Sequence, residues 1–227
     1  MTRKILVALT SVEKYPNLDR ATGIWLGEAV HFVDRLEAAG YSVDYVSPKG
    51  GYVPIDPHSL AMAEPGDWAA YARPEFRNAL GASLRQDQVK AEDYAAIYYV
   101  GGHGVMWDFP EDPGLQSLAR DIYENGGYVT GVCHGVVGLL NVSLSDGQGL
   151  IAGRKVTGFS NVEEDLAQLT AHVPFLTEDQ LVQRGANYVK ADAPWAPFAV
   201  SDARIITGQN PASGGLVAEK LLAELGQ

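Results

Sequence analysis

A chain of 227 residues, 46 % hydrophobic and 20 % charged, has the composition of a globular protein able to bury a sizeable core. Its formal net charge of −11 excludes electrostatic attraction to nucleic-acid phosphates or to an anionic membrane surface. One cysteine, Cys133, excludes an internal disulfide framework, and the apolar run at 5–9 is too short for a signal sequence or a membrane span. A cytoplasmic protein is expected.

Residues 4–9 form a short apolar run that predicts a buried parallel strand. The spacing at 22–39 predicts an amphipathic helix, with Trp25, Val30, Val33 and Leu36 on one side and Gly40 as its stop. A second strand is expected at 41–47. From about 54 to 92, Pro54, Pro57, Pro65, Gly66, Pro74 and Gly81 break the chain into a loose excursion of short helices, not a separate domain. A third buried strand at 94–100 leads into Gly101-Gly102-His103-Gly104. A helix at 115–125, stopped by Gly126-Gly127, precedes a fourth strand at 128–132. Further short strands are expected at 155–158 and 204–208. Ser213 is placed to cap a last helix that ends near Leu225. Strands alternating with helices predict one α/β domain over 1–227, a doubly wound, mostly parallel sheet with helices on both faces. Ligands of such sheets bind beyond the carboxyl ends of the strands, where the loops at 101–104, at Cys133 and after 158 are expected to converge.

The most informative residues are Gly131-Val132-Cys133-His134-Gly135. They join an apolar strand to a helical run of small residues at 135–140, the pattern of a nucleophile elbow. A thiol at a helix N-terminus beside an imidazole is expected to have a lowered pKa. A lone cysteine can also pack simply as a small apolar residue; the elbow glycines and His134 favour catalysis. His134 needs a carboxylate to orient it, and candidates lie in the Glu163-Glu164-Asp165 run after the 155–158 strand. Those acids also suit the first turn of a helix capped by Asn161. Glu28, inside the first apolar helix, either faces solvent or is desolvated with a raised pKa, able to shuttle a proton. Gly101 and Gly102 fit neither phosphate-loop spacing and are read as exposing backbone N–H groups for an oxyanion, with His103 either a site residue or a loop side chain. Glu28 and His31 have a ligand-like spacing, but no second pair accompanies them, so no metal is expected.

Four motifs in order carry a resemblance: Tyr99-Val100-Gly101-Gly102-His103-Gly104-Val105-Met106-Trp107-Asp108-Phe109-Pro110, Val132-Cys133-His134-Gly135, Thr157-Gly158-Phe159-Ser160-Asn161-Val162-Glu163-Glu164 and Thr207-Gly208-Gln209-Asn210-Pro211-Ala212-Ser213. Together they resemble the PfpI superfamily, with its flavodoxin-like, class I glutamine-amidotransferase-like fold, and within it the heat-shock chaperone and glyoxalase III branch. The resemblance implies Cys133 as nucleophile, His134 as its imidazole partner, Glu164 in preference to Glu163 as the triad acid, and Glu28 as the acid beside the thiol. It further implies oxyanion donors at Gly102 and His134, no cofactor, and a homodimer.

The activity so implied is conversion of a small reactive aldehyde, methylglyoxal or glyoxal, to a hydroxy acid through a cysteine hemithioacetal. The same chemistry underlies the protein deglycase activity attributed to the family. The alternatives are a holdase chaperone or redox-sensing stress protein, and a cysteine amidase or peptidase. Glutaminase activity is not expected, because those enzymes draw a histidine from a His-x-Glu near the C-terminus. The last histidine here, His172, is followed by Val173-Pro174.

Overall fold

A computed structural model describes residues 4–226. The apolar runs form the strands β1 (Lys4–Ala8), β2 (Val43–Val46), β3 (Tyr94–Tyr99), β4 (Tyr128–Val132) and β8 (Ile205–Gly208), which are mutually parallel. A further strand, β7 (Ala199–Asp202), pairs antiparallel with β8 and completes a six-stranded sheet in the order β2-β1-β3-β4-β8-β7. Because side chains alternate along a strand, the sheet feeds two cores. Ile5, Val7, Ala96, Tyr98 and Ile206 pack on one face against α1 (Leu26–Ala38) and α9 (Gly214–Leu225). Leu6, Ile97, Tyr99, Val129 and Ile205 pack on the other against α6 (Pro113–Glu124) and the turn after Cys133. On the α1 face, Phe32 stacks on Tyr98 with ring centroids 3.6 Å apart. No described helix is long and apolar enough to cross a membrane.

The excursion expected at 54–92 is a chain of short helices, α2 (Pro57–Ala61), α3 (Pro65–Ala72) and α4 (Pro74–Gly81), each opened by a proline that needs no N–H partner. Several boundaries differ from expectation. The first long helix begins at Leu26, not at 22, because Ile24 N–H donates to Pro54 O and Asp56 N–H donates to Ile24 O, both at 2.9 Å. That bridge holds residue 24 extended. The strand expected at 155–158 is two residues long, β5 (Lys155–Val156), and pairs with β6 (Asn187–Tyr188) outside the main sheet. The next N–H, of Thr157, goes to the Thr207 side chain at 2.8 Å and not to a strand carbonyl. Arg204 is not in a strand; Ala203 (φ +49°) and Arg204 (φ +66°) turn the β7–β8 hairpin. Ser213 stands at the start of α9, but its hydroxyl is used elsewhere, donating to Asn210 Oδ1 at 2.9 Å.

Candidate active site

The chain leaves β4 through Cys133, whose φ of +56° is a left-handed conformation that non-glycine residues seldom adopt. The helical run expected at 135–140 is a tight 3₁₀ helix over Cys133–Leu139. Of the two elbow glycines, Gly135 is the one that space demands: a Cβ there would sit 2.3 Å from Tyr99 O. At Gly131 a Cβ would meet nothing closer than 3.4 Å. The bend projects the thiol toward the carboxyl ends of the strands, with Sγ 3.4 Å from His134 Nδ1.

His134 is oriented from its other side. Its Nε2 lies 2.7 Å from Glu164 Oε2, and the second carboxylate oxygen, Oε1, lies 2.8 Å from His103 Nε2. One carboxylate thus holds two imidazoles, whose rings are 4.1 Å apart. Burial alone would push Glu164 up, but the two histidines override it and hold the carboxyl well below its usual range. It is therefore ionised and acceptor-only, so each Nε2 donates to it and each Nδ1 is left as an acceptor when the ring is neutral. Burial and the adjacent His134 push His103 down, against the pull of Glu164. The next carboxylate, Glu163, belongs to a different network. It closes a capping box with Ser160, which caps α7 (Asn161–Leu166) in place of the expected Asn161.

Glu28 is fully buried on α1, not solvent-facing. Its Oε2 accepts from Gly101 N–H at 2.8 Å, while Oε1 is sealed and has no hydrogen-bond partner of ordinary geometry. Burial pushes its carboxyl from an ordinary 4.5 up to about 8, against stabilisation of the charged form by the Cys133 thiol and Gly101 N–H. The approach is so close that a Cβ on Gly101 would lie 2.5 Å from Glu28 Oε2 and 2.9 Å from Cys133 Cβ. The expectation of a lowered thiol pKa is overturned. Burial, then the Glu28 carboxylate, push Cys133 up, and the His134 backbone N–H only partly opposes them. A 3₁₀ turn with a carboxyl beside the sulfur is no substitute for an exposed helix terminus. Gly102 N–H makes no backbone or side-chain hydrogen bond among the described residues, which leaves it available to a ligand.

Cys133, His134, His103 and Gly102 line a cavity of about 90 Å³, closed by Trp25, Phe159, Leu169 and Trp195, with Arg20, Asp56 and His58 on its polar side. It is far smaller than a typical drug-sized site of about 300–1,000 Å³ and holds only a few heavy atoms. Of these wall residues, Phe159 stands within a quoted sequence motif and Trp25 on the expected first helix; sequence reasoning missed Arg20, Asp56, His58, Leu169 and Trp195, which come from separate parts of the chain and carry no motif. Glu163 was open to recognition, since Ser160-x-x-Glu163 is itself a capping-box signature. Its buried carboxylate also accepts from Trp195 N at 2.9 Å, Gln209 Nε2 at 3.0 Å and Asn210 Nδ2 at 2.9 Å, tying three loops around the cavity. Glu28 and His31 do not meet: His31 Nε2 pairs with Asp67 at 2.9 Å. Among the described residues, the one set of three metal-capable donors within 4.8 Å is His103, His134 and Glu164. There both imidazoles already commit Nε2 to the carboxylate.

The chain has known relatives. The "Glutathione-independent glyoxalase HSP31" of Saccharomyces cerevisiae is 34 % identical over 235 residues, covering 98 % of each chain. The crystal structure of glyoxalase III from Candida albicans superposes with a TM-score of 0.88 at 32 % identity, over 97 % of this chain and 96 % of that one. Francisella tularensis Rapid Encystment Protein 24 KDa superposes with a TM-score of 0.95 at 38 % identity over the full length of both. The DJ-1/PfpI family model matches residues 21–224. With its sheet order, its elbow and its relatives in agreement, the chain belongs to the DJ-1/PfpI family.

Proposed function

We propose that the protein is a glutathione-independent glyoxalase that turns methylglyoxal and water into lactate, with Cys133 as nucleophile. The observation that carries this reading is the line Cys133 Sγ, His134 Nδ1, His134 Nε2, Glu164 Oε2, opening on a cavity sized for a three-carbon aldehyde. The resting thiol is protonated, so it is activated as it attacks. Sγ bonds to the aldehyde carbon while its proton passes to His134 Nδ1, and Glu164 stabilises the imidazolium that forms. We assign the N–H groups of Gly102 and His134 to stabilising the developing oxyanion. The His134 imidazolium then returns that proton to the oxyanion, and the neutral hemithioacetal loses its C1 proton and regains one at C2, passing through an enediol to a thioester. Burial raises the Glu28 pKa to about 8, near neutrality, which suits a group that both gives and takes that proton. Water cleaves the thioester to lactate and free thiol.

The yeast and Candida relatives bear glyoxalase names, which supports the same chemistry here. The small volume of the cavity and its apolar walls at Trp25, Phe159, Leu169 and Trp195 favour a small aldehyde over a peptide. A raised thiol pKa argues against a peroxide sensor, because the thiolate is the reactive form. The test is lactate release from methylglyoxal without glutathione. Wild type producing lactate and Cys133→Ala producing none supports the proposal, and a wild type that makes no lactate overturns it.

A further inference from the structure

We propose that His103 is a second base of the site, activating the water that hydrolyses the Cys133 thioester, while His134 serves the thiol. The inference rests on the glyoxalase reading and divides its two halves between two imidazoles.

Three observations carry it. First, the ionised Glu164 fixes both rings the same way: it accepts from His134 Nε2 on one oxygen and from His103 Nε2 on the other. Each neutral ring therefore presents a bare Nδ1. Second, the two Nδ1 atoms have different surroundings. That of His134 faces Cys133 Sγ at 3.4 Å, whereas that of His103 has no hydrogen-bond partner among the described residues. That atom is not sealed in the interior, and it belongs to a residue that lines the cavity. Third, His103 is held in place. Its ring lies 4.1 Å from that of His134 and is flanked by Tyr15 at 5.8 Å, on a loop fixed by Gly102 and Gly104, where a Cβ would strike Gly23 O at 2.3 Å and Thr10 Cγ2 at 2.8 Å respectively. Burial and the adjacent His134 lower its pKa against the pull of Glu164, which favours the neutral ring whose Nδ1 can take a proton.

In the step, the water oxygen bonds to the thioester carbonyl carbon as one water proton moves to His103 Nδ1. The tetrahedral adduct collapses by breaking the C–S bond. The carboxylic acid gives up its proton, which His134 Nδ1 relays to the departing sulfur as lactate leaves, and His103 returns its proton to bulk water.

His103→Gln is the decisive variant, because the amide can still donate to Glu164 Oε1 but has no basic nitrogen. Mixed rapidly with methylglyoxal, it is expected to acylate at the wild-type rate and accumulate the lactoyl thioester on Cys133, seen by intact mass. Steady-state lactate release should drop about 10²-fold, the usual contribution of a general base. Hydroxylamine, a nucleophile that needs no base, should restore turnover as the hydroxamate, and free imidazole should partly rescue His103→Ala. Loss of lactate release without a thioester adduct, or unchanged release from His103→Gln, would overturn the inference while leaving the glyoxalase reading intact. No lactate from wild type would sink that reading and the inference with it.

Discussion

Glu163 and Glu164 are neighbours on α7, yet their carboxylates enter separate networks. Glu163 accepts from Ser160 N–H and Oγ, Trp195 N–H, Gln209 and Asn210, all structural donors. Among the described residues, the Glu164 carboxylate accepts from His103 and His134 alone, both on the cavity wall. A single helical step of rotation thus separates a residue that ties loops together from one that orients two bases.

The two are expected to fail differently. Glu164→Gln can satisfy only one imidazole as an acceptor, so kcat/KM should fall by about 10²–10⁴-fold with little change in unfolding midpoint. Glu163→Gln places an amide donor among donors in a fully buried position, and should cost about 2–3 kcal/mol of stability. Paired kinetics and urea denaturation check both. Equal losses in the two measurements for both variants would contradict the division.

Much of this fold and site is legible in the sequence, and the limits are physical. The parallel strands show as apolar runs because both faces are covered, and the elbow shows because the turn passes so close to the Tyr99 backbone of β3 that only a glycine fits at 135. The start of α1 does not show, since what holds residue 24 extended is a bridge to Ile55, thirty-one residues on. The pairing of β5 with β6 is likewise a long-range fact. So are the cavity walls at Arg20, Asp56 and Trp195. The direction in which the Cys133 pKa moves escapes the sequence because helix position is visible there, whereas burial beside a carboxyl is not.

Gly101→Ala tests the packing of the site. The added methyl would press on both Glu28 Oε2 and Cys133 Cβ, and the other contact, Val132 O at 2.9 Å, is backbone that cannot yield. The expected result is a loss of about 1–3 kcal/mol from overpacking, with activity reduced beyond what unfolding explains. A variant as stable and active as wild type would mean the loop shifts freely.

Glu28 should also mark the pH dependence of stability. Its folded pKa of about 8 lies above its ordinary 4.5, so the folded state binds the proton more tightly. The contribution is complete below 4.5 and is lost as pH rises through 8, at a slope of at most about 1.4 kcal/mol per pH unit. Glu28→Gln has no proton to lose. Its stability relative to wild type should therefore climb across that window and level off above it. Parallel curves for the two proteins would mean that Glu28 is not titrating inside the fold.

The thiol itself gives the last prediction. Burial and the Glu28 carboxylate both push Cys133 up, so wild-type alkylation by iodoacetamide should rise through a midpoint above the ~8.5 of a free thiol. Removing the carboxylate removes the second cause and leaves the first. In Glu28→Gln the midpoint should therefore fall. Alkylation near pH 9, where wild-type Glu28 is largely charged, should speed up by about tenfold for every pH unit that the midpoint drops. Below pH 7 the two proteins should react more nearly alike, because Glu28 is then protonated and adds no charge beside the sulfur. A wild-type midpoint below the free-thiol value would show that the thiolate is stabilised in the resting site, and attack would then need no proton transfer to His134. The same midpoint in Glu28→Gln as in wild type would place the carboxyl too far from the sulfur to act on it.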